Sequence, residues 1–342
     1  MTQDQLKAKI RSSDLGGSYV LCGDEDYLKR HYLREIRRSV LTDEAFSFFN
    51  HICFEGAEVD FAEISEAVKS PPVMADYKLV EWKYPDFEKM TAKELDAMSE
   101  LARLTSEHPY AIVVFFPSAE GFDPGTERRP SKLREKLAES YNVINFEKST
   151  DSQLIPWLRR HFDCEGIAAS NETLAALIFR SGHSMDVLSQ EVTKLAAYAK
   201  ANGLDKITEA EVQLVASSTI ECDAFALSTA ITGKNRNGAF FALNDMRERR
   251  IAPPVILATL ARSFSELVTV SILLEEGKDA DDITGILKWK PTKTKYAISA
   301  AKRWGKDRLV SALAKLRSLD SSAKSGGASG LAPIEIFISR YL

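Results

Sequence analysis

Tyr19-Val20-Leu21-Cys22-Gly23-Asp24-Glu25-Asp26-Tyr27-Leu28 reads as a short apolar strand, a glycine turn and the start of a helix. In an α/β domain a phosphate would sit on the N-terminus of the helix that follows such a strand. A P-loop at this place needs glycines for close backbone approach and a Lys-Ser/Thr pair for phosphate and magnesium. Neither is present. Three carboxylates, Asp24, Glu25 and Asp26, stand there instead. The helix dipole favours them, and they would repel a triphosphate at short range. The pairs Gly233-Lys234 and Gly277-Lys278 lack both the upstream glycine and the following hydroxyl. The stretch therefore predicts a nucleotide-type fold without its nucleotide site, and no cofactor is expected.

Four more strand candidates lie around this one. They are His51-Ile52-Cys53-Phe54, Lys78 to Trp82, Ala111 to Phe116 and Asn142 to Phe146. Several run apolar without alternation, as strands buried on both faces do. Helical patterns separate them at Asp26 to Arg38, Phe61 to Lys69, Ala92 to Leu104 and Ser131 to Ser140. Strand and helix in repetition predict a parallel sheet with right-handed crossovers over residues 1–148. The third strand ends Glu81-Trp82-Lys83, without the paired acids that hold magnesium and orient water.

Beyond Phe146 the pattern turns helical. Thr150 with Gln153, and Thr208 with Glu211, read as capping boxes. Helices are expected from Asn171 to Arg180 and from Ser184 to a stop at Asn202-Gly203. These form a small helical unit over 149–218. A longer one covers 219–342, with a helix starting at Pro253-Pro254, a loop at Ser325 to Gly330 and a last helix from Pro333.

The wider composition fits an intracellular machine part. Of 342 residues, 44% are apolar and 27% charged, which excludes a disordered chain and predicts two or three domains. A net charge of −4 confines any nucleic-acid contact to a local patch. Cys22, Cys53, Cys164 and Cys222 are widely spaced, which argues against a zinc ribbon or a disulfide framework. The five histidines show no metal-ligand spacing, and no nucleophile elbow is present. The N-terminus has no apolar leader, and Ala111 to Phe116, the longest strongly apolar run, is too short to cross a bilayer. A cytoplasmic protein without membrane contact is expected.

The stretch from Tyr19 to Leu28 resembles the opening of the delta subunit of bacterial DNA polymerase III, which carries Gly-x-Asp-x-Tyr-Leu after its first strand. Pro72-Val73-Met74-Ala75 before Lys78-Leu79-Val80 is similar to that family's apolar pair ahead of an Arg-Leu-Val strand. Lys132-Leu133, Lys136-Leu137, the run Asp186 to Leu195, Ala301 to Trp304 and Asp320 to Lys324 resemble its later signatures. The resemblance implies an α/β AAA+-type core with a parallel sheet, a small helical lid domain and an all-α collar domain. It implies a subunit that binds the beta sliding clamp and opens one interface so that the ring can be loaded on primed DNA. Its implied partners are the gamma/tau motor and delta-prime subunits, with primer-template DNA in the assembled complex. It implies no ATPase activity in this chain, although the chain would serve a DNA-directed DNA polymerase holoenzyme. One departure is the pair Val73-Met74, where bulkier Leu or Phe is usual in the family.

Val73 and Met74 also have a reading of their own. Pro71-Pro72 stiffens the approach, so the pair is presented with little entropy left to lose. Methionine is an adaptable binding side chain. With Pro72 they form the candidate clamp-binding element; the competing reading is that both begin the packing of the next strand. The segment Lys288 to Arg317 holds ten basic residues and one acid, interleaved with Trp289, Tyr296 and Trp304. Lys290, Lys293 and Lys295 are candidate DNA contacts, against the alternative of a solvated helix face with Trp304 in the core. Two other functions stay open: an ATP-binding motor subunit, and a DNA-binding scaffold unrelated to clamps.

Overall fold

The five apolar runs of the N-terminal region pair as one parallel sheet. They are β1 (Gly17–Cys22), β2 (His51–Glu55), β3 (Lys78–Lys83), β4 (Ala111–Phe116) and, after a short ribbon of β5 (Gly125–Thr126) with β6 (Arg129–Pro130), β7 (Asn142–Asn145). The order across the sheet is β2-β3-β4-β1-β7. Tyr19 stands opposite Val114 on one side and Asn142 on the other, which fixes the register of the central strand. The computed structural model describes residues 1–289, 291–324 and 330–342. The chain divides into two compact units, Met1–Leu154 and Ile155–Leu342.

Alternation along the strands sends side chains to two cores in the first unit. Val20, Val80, Trp82, Val113, Phe115 and Val143 face α4 (Phe61–Lys69), α5 (Ala92–Glu107) and α6 (Lys132–Ala138). Tyr19, Leu21, Leu79, Ile112, Val114 and Ile144 face α1 (Gln3–Ser12) and α2 (Asp26–Val40). Both faces are covered, so these strands carry apolar residues at successive positions. A further helix of this unit, α3 (Glu44–Asn50), starts at Asp43, whose side chain accepts from the Ala45 amide, and runs straight into β2.

The second unit is helical apart from two residues each of β8 (Ala168–Ala169) and β9 (Lys206–Ile207), which pair in parallel. Helix α7 (Asp151–Cys164) crosses the division between the units, and Gln153 accepts from the Thr150 amide at 2.9 Å as its cap requires. Helices α8 (Asn171–Ser181), α9 (Met185–Ala201) and α10 (Glu209–Val215) pack together through Leu174, Leu177, Leu188, Leu195 and Val212. The expected box at Thr208 and Glu211 is complete.

Helices α11 (Ile220–Thr232), α12 (Arg236–Glu248), α13 (Pro253–Glu275), α14 (Ala280–Leu287), α15 (Pro291–Trp304), α16 (Lys306–Lys324) and α17 (Ala332–Tyr341) share one further core. Helix α13 is by length and composition apolar enough to cross a membrane. Its Ile256, Leu257, Leu260, Phe264, Leu267 and Val270 are buried in that core. Trp304 is a core residue, as expected: its indole donates to the Thr232 carbonyl at 2.9 Å and its ring meets Phe264 edge to face. Most of the expected loop Ser325 to Gly330 lies outside the described residues.

Candidate functional site

Between the end of α4 and the start of β3 the chain makes an exposed bend at residues 71–77. Two buried polar side chains hold it. Lys78, 2% exposed, donates its ammonium to the Ser70 carbonyl at 2.9 Å and to the Ser70 hydroxyl at 2.7 Å, closing the base. Burial pushes the pKa of this lysine down. Asn50, at the end of α3, holds the middle: its carboxamide donates to the Val73 carbonyl at 2.8 Å and accepts from the Val73 amide at 2.7 Å.

The bend presents its apolar residues outward. Val73 is 42% exposed and Met74 79%. Neither joins the sheet core, which begins at Lys78 and Leu79. Met74 also has φ of 51°, a left-handed conformation that costs a residue with a Cβ roughly 1–2 kcal/mol. Strain of this kind persists where surrounding bonds over-determine the backbone, as the two bonds from Asn50 do one residue earlier. Pro72 is half-buried at the entry and Pro71 exposed. Beside the bend, Phe48 and Phe49 on α3 are 82% and 56% exposed, with their rings edge to face at 5.6 Å.

The turn after β1 is closed. Gly23 has φ of 98°, and a Cβ there would lie 2.5 Å from the Phe146 carbonyl oxygen. The Glu25 amide donates to that same carbonyl at 2.9 Å, and the Phe146 amide donates to the Cys22 carbonyl at 2.8 Å. The amide at the cap of α2 is therefore already bonded to protein. The Glu25 carboxylate is buried beside this turn with the Lys148 ammonium at 3.8 Å. Lys29, also buried, pairs with Asp26 at 2.8 Å and donates to the Pro117 carbonyl. On β3, Glu81 accepts a bidentate bond from Arg37 and faces His51 Nε2 at 3.1 Å. Among the described residues no group of acids, histidines and cysteines could hold a metal.

The basic segment is divided in its use. Lys290 lies outside the described residues. Lys293 pairs with Glu266 at 2.8 Å and sits over the Trp289 ring at 4.0 Å. Lys306 pairs with Glu275, and Arg308 stacks on Trp304 while donating to the Tyr341 carbonyl. Lys295 and Lys302 on α15 are exposed.

A family model for the delta subunit of DNA polymerase III matches residues 19–147, and one for the C-terminal domain of that subunit matches residues 221–341. The chain belongs to the DNA polymerase III delta subunit family. Its first unit, a parallel five-stranded sheet covered by helices, and the helical C-terminal segments are the parts that those two models match. Among solved structures, the Bacillus subtilis DNA clamp loader delta protein YqeN is similar over 99% of this chain and 98% of its own. The identity is 20% and the TM-score 0.60, so this likeness speaks for the fold. The Thermotoga maritima RuvB Holliday junction branch migration motor is 13% identical over 67% of this chain and 76% of its own, with a TM-score of 0.40. No curated protein sequence matches the chain.

The sequence points to an exposed bend at Pro71 to Met74 but not to what holds it. The Pro-Pro pair announces a stiff, exposed approach. Asn50 lies 23 residues from Val73, and no periodicity in the sequence ties the two together. Lys78 reads as the first residue of a strand. Phe48-Phe49 stand just ahead of a strand and read as its approach; two adjacent aromatics one turn from the cap of a short helix are the signal that could have found them.

Proposed function

We propose that this delta-family chain binds the beta sliding clamp of its replicase through Pro72, Val73 and Met74 and opens one clamp interface. The observation that carries this reading is the bend itself: two apolar side chains are held out by two buried polar residues, Met74 in a strained left-handed conformation. An apolar wedge that is already ordered loses little entropy on binding. Val73→Ser with Met74→Ser tests it. Fully burying each side chain is worth roughly 1.5–3 kcal/mol, so clamp affinity should fall on the order of a hundredfold or more. Thermal stability should stay nearly unchanged, because both residues are exposed. Full affinity in the stable double variant would move the clamp contact elsewhere.

The chain works in the cytoplasm with the gamma/tau motor and delta-prime subunits, residues 149–218 serving as a lid and 219–342 as an oligomerising collar. It binds no ATP itself, because Asp24, Glu25 and Asp26 stand at the start of α2 where a P-loop would place its Lys-Ser/Thr pair, and Phe146 closes the turn before it. Titration with a fluorescent ATP analogue in magnesium should show no saturable binding; a micromolar dissociation constant would restore the motor-subunit reading.

A further inference from the structure

Asn50 joins two exposed apolar pairs that are far apart in sequence. On its N-terminal side stand Phe48 and Phe49, and through its carboxamide it grips Val73, next to Met74. We infer that Phe48 and Phe49 are a second apolar anchor on the docking surface of Val73 and Met74, engaging the same sliding-clamp partner. This rests on the clamp-binding reading above and adds to it a pair of residues and a fixed geometry.

Distance supports one occupant for both pairs. Asn50 follows Phe49 directly, and its amide reaches the Val73 backbone by bonds of 2.7 and 2.8 Å. Covalent geometry then limits the Cα atoms of Phe49 and Val73 to a separation of roughly 11 Å. A standard protein interface covers about 800 Å² on each partner, a disc of roughly 16 Å radius. A protein seated on Met74 therefore reaches Phe49 as well.

Chemistry agrees with distance. Aromatic residues and methionine are enriched in interfaces, and aromatic anchors carry much of the energy. Two large exposed side chains within that distance of two more place four apolar groups inside one interface footprint rather than scattering them over the surface. The patch is also stiff. Asp43 caps the short helix, the two rings meet edge to face, and buried Asn50 prevents the bend from moving independently of α3. Such a surface matches an apolar depression on a preformed partner, which for this chain is the clamp.

The test uses the full chain and its own sliding clamp, with affinity from calorimetric titration and folding from thermal melts. Phe48→Ser with Phe49→Ser is compared with the Val73→Ser, Met74→Ser variant. The phenylalanine variant should lose about tenfold or more in affinity at an unchanged melting temperature. Should that double variant fail to fold, Phe48→Ala alone, at the more exposed position, should still lose severalfold. Unchanged affinity in a folded phenylalanine variant, with affinity lost in the Val73, Met74 variant, overturns the second anchor and leaves the docking bend standing. No loss in either variant removes the clamp-binding reading and this inference with it. Sedimentation velocity covers the remaining occupant: a wild-type dimer abolished by the phenylalanine changes, with clamp affinity intact, assigns the pair to a second copy of the chain and overturns the proposal.

Discussion

At the scale of one residue, Gly23 sets how tightly the turn after β1 closes. Its φ of 98° is open to glycine, and an added Cβ would meet Asn145 Oδ1 at 2.4 Å and the Phe146 carbonyl at 2.5 Å. The second neighbour is backbone and cannot rotate away. Gly23→Ala should therefore destabilise the first unit by about 1–3 kcal/mol. Chemical denaturation should show a lower midpoint at an unchanged slope; an unmoved midpoint would mean that the turn is looser than this packing. The glycine is legible in sequence, because the turn after a first strand is where such folds place their phosphate loop. Its partner is not: Phe146 reads as the end of the strand Asn142 to Phe146, and periodicity carries no information about which carbonyl folds back onto which turn. Val73 and Met74 show the same division. Pro71-Pro72 makes their exposure one of two readings of the sequence, whereas the grip of Asn50 depends on a residue 23 positions away.

Strand β3 ties three elements together through one carboxylate. Glu81 points to the side of the sheet covered by α2, where Arg37 binds it, and His51 reaches it from β2. Burial alone would raise the Glu81 pKa, but the bonds from Arg37 and His51 outweigh it and hold the carboxyl at about 2, against an ordinary 4.5. The folded pKa is depressed, so the stabilisation is fully present above about pH 4.5 and is lost as pH falls toward 2. The shift corresponds to on the order of 3 kcal/mol. Glu81→Gln should lower stability at pH 7, and the gap to wild type should close across that acidic window when both are unfolded in urea. A gap that stays constant down to pH 2 would mean that the carboxylate is not held in this way. At this scale the sequence is most readable. The five core strands and the helices between them show in apolar runs long enough to carry a period, and the box at Thr208 and Glu211 and the Gln153 bond to the Thr150 amide stand where the sequence spacing places them. Helices α1 and α3 and the two-residue strands escape such a reading. A capping box at Thr2 and Gln5 is present for α1, but α3 is too short for its period to stand out from the strand that follows it, and a two-residue strand has no period at all.

For the whole molecule the question is how an acidic chain, of net charge −4, could take part in holding DNA. Its long-range field opposes the approach, so any binding must come from cations left free on one face. The basic segment is less available than its composition suggests, since Lys293, Lys306 and Arg308 are engaged among the C-terminal helices by Glu266, Glu275 and the Tyr341 carbonyl. Reversing Lys293 would break an internal pair and confuse a packing effect with a binding effect. Lys295 and Lys302 avoid that problem: both are exposed, and seven positions apart they lie on one face of α15, about two turns from each other. If this face meets primer-template DNA in the assembled loader, each lysine neutralises a phosphate and releases its counterion. Lys295→Glu with Lys302→Glu should then reduce the slope of log affinity against log salt by about 0.9 for each duplex phosphate left unneutralised, or roughly 2 in all. The measurement is made on the complete loader across a salt series, with the isolated chain as the comparison. An unchanged slope in the complex makes α15 a solvated helix face, and an equal reduction in the isolated chain would favour a DNA-binding scaffold that needs no clamp.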